Sequence, residues 1–159
     1  MRHVEQELFR KHAKRLEVDQ QWNIYDLIDS FNSSLLYVHF SLEWNTLVTE
    51  VHLEKALRML GDSRFEAAAL SDYEVAALLA ATGRRCQMLS GKQRNTFTAR
   101  MLQIFNARGV RLGLAARNAL LGAQIDNNID VDIIGVLKQY EMHGLIPDEQ
   151  TYGQLSRIY

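Results

Sequence analysis

A chain of 159 residues is long enough for one domain with its own core, and 47% hydrophobic against 23% charged residues is the composition of a folding chain, which excludes general disorder. One cysteine, Cys86, excludes an internal disulfide and asks for no oxidising compartment; the apolar stretch of residues 76–81 is too short to cross a bilayer; and Glu5 and Glu7 are out of place in a transit peptide. A net charge of −1 gives no general attraction to nucleic acid, and one proline with nine glycines leaves long segments free to be helical.

In chain order, Val4, Leu8, His12 and Leu16 lie four apart among charged neighbours and predict an amphipathic helix over residues 2–18. Residues 22–31 keep helical spacing and residues 30–34 break it. Residues 35–44, rich in Leu, Tyr, Val, Phe and Trp, are read as a buried helix because no partner strand is visible elsewhere. Thr49 caps a predicted helix to Leu60 that Gly61 ends, and a short helix is expected over residues 64–70. Ser71-Asp72-Tyr73-Glu74 has the form of a capping box, so a helix starts there and stops at Thr82-Gly83. Residues 92–107 set Phe97, Met101, Leu102 and Phe105 on one face. Residues 114–125 and 130–143 predict two further helices, and Asp148 caps a last one.

The helical part repeats itself. Ala107-Arg-Gly109-Val-Arg matches Met142-His-Gly144-Leu-Ile at a spacing of 35, and Arg117-Asn-Ala-Leu-Leu matches Tyr152-Gly-Gln-Leu-Ser at the same spacing. Ala76-Ala-Leu-Leu79 matches Asn118-Ala-Leu-Leu121 at 42, which places about seven extra residues in the 83–91 connection. A fixed period of this length predicts an all-α fold, an α-solenoid of stacked antiparallel helix pairs. Its units run 71–113, 114–148 and a partial 149–159, after an unassigned N-terminal helical region or cap over residues 1–70. The ending leaves Tyr152, Leu155, Ile158 and Tyr159 on one apolar side of a last helix without its partner helix, from which a fragment of a longer solenoid and self-association through that side are expected.

Charge is uneven along this part. Between Ser71 and Arg117 eight bases (Arg84, Arg85, Lys92, Arg94, Arg100, Arg108, Arg111 and Arg117) face two acids, Asp72 and Glu74. Such a run is either a solvated helix surface or a stripe that follows phosphates.

The segment Asn118-Ala-Leu-Leu, Val136-Leu-Lys, His143-Gly-Leu-Ile-Pro-Asp148 and Thr151-Tyr-Gly-Gln-Leu closely resembles the pentatricopeptide repeat, whose marks are the turn before Asp148 and the Thr-Tyr after it. Tetratricopeptide repeats would show a Trp and a Leu-Gly that are missing here. The resemblance covers residues 74–159, and the extended early repeat is similar to the leucine-rich members of the family in animal mitochondria. It implies a module that holds single-stranded RNA in the mitochondrial matrix, contributing to mRNA stability or translation within an RNA–protein complex. It also implies that each repeat reads one base with a residue early in its first helix and the last residue of the repeat. In the repeat 114–148 these are Asn118 and Asp148, a pair expected to prefer uracil. The carboxylate would orient the reading amide. Ala76 with Gly113, and Gly153, fill the same positions in the neighbouring repeats and have nothing to read with. Arg117 stands where the family usually has an aromatic and could meet phosphate. The other reading of the same architecture is a protein-docking scaffold with little RNA affinity.

Catalytic chemistry is not expected. Asp126-Asn-Asn-Ile-Asp130-Val-Asp132 looks like a calcium loop, but Val131 and Leu137 replace the required Gly and Glu, so it is read as a capped turn. His3, His12, His39, His52 and His143 lack metal-ligand spacing, and no phosphate loop, dinucleotide turn or nucleophile elbow occurs. Arg84 and Arg85 would favour a Cys86 thiolate, but a core or loop thiol is the commoner fate of a lone cysteine. No cofactor, metal or membrane contact is expected.

Overall fold

The structure, a computed structural model, describes residues 48–158. The helices expected over residues 2–18, 22–31 and 35–44, and Tyr159, lie outside the described residues. Among the described residues the chain is all-helical. It forms α1 (Glu50–Gly61), α2 (Asp72–Ala80), α3 (Gly91–Ala107), α4 (Leu114–Asp126), α5 (Ile133–Met142) and α6 (Glu149–Ser156).

Local sequence sets most of the boundaries. Thr49, Ser71, Ser90 and Asp148 each close a reciprocal capping box at the start of α1, α2, α3 and α6, and the Asp132 carboxylate accepts from Gly135 N–H at the start of α5. At the other ends, Gly109 and Gly144 take φ of +73° and +70°. There Val110 N–H reaches back to Phe105 O and Leu145 N–H to Tyr140 O, both at 2.8 Å. The same turn therefore recurs 35 residues apart. The helix expected over residues 64–70 is shorter in the structure, a single 3-10 turn at Ala67–Ala69, because Asp62 and its bonds to the Arg64 N–H and guanidinium hold the chain in a bend. The extra residues of the first repeat are also placed differently from expectation. The connection 81–90 is longer than 127–132, but α3 itself has 17 residues against 10 in α5, and α2 has only 9 against 13 in α4.

The main core gathers Leu53, Leu60, Leu78, Leu79, Met101 and Phe105, all at most 1% exposed, from α1, α2 and α3. Burial of such side chains contributes about 1.5–3 kcal/mol each. Helix α1 packs on α3, α3 on α4, α2 on α4 and α4 on α6.

The last two contacts are tied at both ends. The Asp72 carboxylate at the start of α2 accepts from Gly113, Ala115 and Ala116 N–H at the start of α4 (2.6, 2.9 and 3.2 Å). Beyond the end of α2, Thr82 O accepts from Asn127 Nδ2 and Arg84 N–H donates to Asp126, both at 3.0 Å, at the end of α4. Starts meet starts and ends meet ends, so α2 and α4 run parallel. One repeat further on, Asn118 bonds Asp148 at the start of α6, and Asp126 pairs with Arg157 at its end, so α6 runs parallel to α4 as well.

Candidate functional site

Asn118 lies in the first half of α4, and Asp148, 30 residues later, is the N-cap of α6. Folding brings them together: Asn118 Nδ2 donates to Asp148 Oδ1 at 3.0 Å. The amide's other end is equally engaged, since Oδ1 accepts from the Tyr140 hydroxyl of α5 at 2.8 Å and from the Thr151 hydroxyl of α6 at 2.7 Å. A carboxylate on one side and two hydroxyl donors on the other fix which way the amide points.

Burial divides the labour within this group. Asn118 is 4% exposed, although a residue meant to meet a base, or a plain surface residue, would stand open to solvent. Asp148 is exposed. Its Oδ1 takes the Asn118 amide and the Thr151 N–H, each at 3.0 Å, while Oδ2 takes neither. The amide thus positions the carboxylate, the reverse of the roles expected from sequence. The N–H of Thr151, helped by its hydroxyl and by Asn118, holds the Asp148 carboxyl below the ordinary 3.8, so it is charged at neutral pH. Burial pushes the Tyr140 phenol up to about 12, with nearby Arg117 opposing, so Tyr140 stays a donor.

Tyr140 and Thr151 escaped the sequence reading. Thr151 carried a signal, since it sits three residues after Asp148 in capping-box register; Tyr140 carried none beyond being a lone aromatic in α5. In the preceding repeat the expected reading positions are mute for a structural reason. A Cβ on Gly113 would lie 2.7–2.9 Å from the Asp72 carboxylate, so that position belongs to the cap of α4. Ala76 is half-buried on α2.

The basic run is spread over several elements. Arg84 and Arg85 sit in the α2–α3 connection, Lys92, Arg94 and Arg100 on α3, and Arg108 and Arg111 in the α3–α4 turn. Arg100 pairs with Glu54 at 3.2 Å and crosses the Phe97 ring, and the Arg108 guanidinium is spent on Phe65 O. Arg94 and Arg117 are half-buried, each with an Nε that lacks an acceptor. Arg84, Lys92 and Arg111 are exposed, and Arg85 is half-buried. Of the eight, Arg117 alone is on α4 with Asn118.

Cys86 is fully buried, and burial raises its pKa against the pull of Arg94, so the expected help from Arg84 and Arg85 does not produce a reactive thiolate. Among the described residues no group of three His, Cys, Asp or Glu side chains is placed to hold a metal, and no helix is long and apolar enough to cross a membrane. Compared with known proteins, the chain matches no protein-family model and no curated protein.

Proposed function

We propose that the chain is a pentatricopeptide-type α-solenoid module that holds single-stranded RNA, working in an organellar post-transcriptional regulator of mitochondrial mRNA. The parallel stacking of α2, α4 and α6 supports the solenoid. The observation that carries the RNA reading is the 3.0 Å bond between Asn118 and Asp148, which joins the two positions that the resemblance assigns to base recognition. After its internal bonds the pair leaves the Asp148 Oδ2 of an exposed carboxylate as a free acceptor, held in place by the buried Asn118 amide. An acceptor matches the imino N–H of uracil or guanine and mismatches the ring nitrogen that cytosine and adenine present there, which is itself an acceptor. The resemblance narrows it to uracil. One such site contributes about 1–3 kcal/mol, so binding by this chain alone is weak.

The test is fluorescence anisotropy of oligouridylate and oligocytidylate with the wild type and with Asp148→Asn. Asparagine keeps the helix cap and the oxygen that Asn118 holds, but replaces the free acceptor with a donor. Uridine preference in the wild type, moving towards cytidine in the variant, is the expected result; equal binding of both oligomers by both proteins rejects base reading.

The dispersal of the arginines over α3 and its flanking turns, with Arg100 and Arg108 already engaged, favours a second reading, docking of proteins on the same repeats. Self-association through the exposed Tyr152 and Ile158 belongs to that reading.

A further inference from the structure

Helix α5 is apolar in sequence yet buries only Tyr140. Between α4 and α5 lies a cleft of about 370 Å³, open to solvent, a volume typical of binding pockets. Arg117, Leu120, Leu121 and Gln124 line it from α4, at the i, i+3, i+4, i+7 spacing of a single helix face. Val136 and Tyr140 face them from α5, while Asp130 and Asp132 close the far end.

The ends of this cleft carry opposite charges. The Arg117 side chain makes no hydrogen bond or ion pair among the described residues; its Nε is covered, and its terminal guanidinium nitrogens are left to take an acceptor. At the other end Asp130 makes no hydrogen bond or ion pair among the described residues either, and Asp132 uses its carboxylate on Gly135 N–H. From Arg117 to Gln124 is seven residues of helix, about 10 Å. Leu120, Leu121, Val131 and Val136 form the apolar stretch between the two charges.

We propose that this cleft receives one face of an amphipathic helix from a protein partner. The partner presents a carboxylate side chain at the Arg117 end, where a guanidinium binds a carboxylate in two parallel bonds. It presents two apolar side chains three and four positions along, over Leu120, Leu121 and Val136, and a Lys or Arg seven positions along, beside Asp130 and Asp132. Helix-in-groove recognition reads the same i, i+3, i+4, i+7 face. The charges set the direction in which the helix lies, and the apolar pair supplies the burial. The cleft shares Tyr140 with the group around Asn118, but the proposal does not rest on base reading at Asp148.

The full chain is titrated with a synthetic helical peptide of about 14 residues carrying Glu, Leu, Leu and Arg at those four positions, and with a second peptide in which Glu and Arg are exchanged. Nuclear magnetic resonance is expected to show the first peptide shifting amide signals of residues 117–124 and 132–140, with a Kd about tenfold below that of the second. The paired variant Arg117→Glu with Asp130→Lys should invert the preference, its melting curve serving as the check on folding; the wild-type comparison of the two peptides stands whether or not that variant folds. Equal affinity for both peptides, or no shift with either, overturns the proposal. So does a result in which Arg117→Glu weakens oligouridylate binding while neither peptide binds, which would make Arg117 a phosphate contact. Line broadening that grows with protein concentration and that the first peptide does not relieve would assign the cleft to a second copy, and also overturns it.

Discussion

At the scale of single residues, the buried Asn118 amide is held from three sides. Its oxygen is the shared acceptor of two buried hydroxyls, so Asn118→Ala leaves the Tyr140 hydroxyl without its partner, turns Thr151 back to Asp148 alone and removes one of the bonds that hold the Asp148 carboxylate. An expected loss of about 1–3 kcal/mol follows from stranding one donor in the interior. Urea unfolding measures it; a loss under about 0.5 kcal/mol would mean that water replaces the amide without penalty. The RNA test therefore uses Asp148→Asn, which changes the exposed edge and spares the buried one. Sequence pointed to Asn118 and Asp148 as a pair. It did not reveal that the first would be covered and the second open, because that depends on how α6 lies on α4, and no pattern within α4 records it.

At the scale of helices, the joint between α2 and α4 shows where local reading stops. Ser71 and Glu74 form the capping box that their spacing announced, which makes Asp72 look like an ordinary first-turn acid favouring its own helix dipole. Instead, Asp72 caps α4, supplying from a neighbouring helix the side chain that the N-cap Gly113 lacks. Asp72→Ala is expected to cost about 1–2 kcal/mol and to fray the first turn of α4. Native-state hydrogen exchange would show this as lost protection at Ala116 and Arg117 with α1 unchanged; protection lost evenly over the chain would contradict it. The helix expected over residues 64–70 failed for a similar reason. Three consecutive alanines favour helix, but the Asp62–Arg64 bend sets the entry and leaves room for one turn only.

At the scale of the whole molecule, the packing divides unevenly. The buried side chains concentrate in α1, α2 and α3, whereas Ile134, Met142, Ile146, Tyr152 and Ile158 are all exposed towards the C-terminal end. Leu155, expected on the open side of the last helix, is instead 5% exposed, so the apolar side available for self-association is narrower than the sequence suggested. Tyr152 and Ile158 remain, 56% and 38% exposed. Sedimentation equilibrium should show association that rises with concentration and that Tyr152→Ser weakens; a monomer throughout the micromolar range would count against it. The repeat period was legible because α2, α4 and α6 meet through like positions, and the turns at Gly109 and Gly144 recur at the same spacing. The direction of the basic side chains was not legible, since a run of charge along a chain is folded over several helices before it meets solvent.

The position of the α4 cap on α2 has a consequence for how the chain is made. A ribosome delivers residues in order, so the carboxylate of Asp72 has left it about 40 residues before the N–H groups of Gly113, Ala115 and Ala116 arrive. The receiving group is in place first, and the newcomer docks on a finished neighbour. Asn118 waits in the same way for Asp148, and Asp126 for Arg157, so α4 offers its partners before α6 arrives, each step preparing the seat for the next.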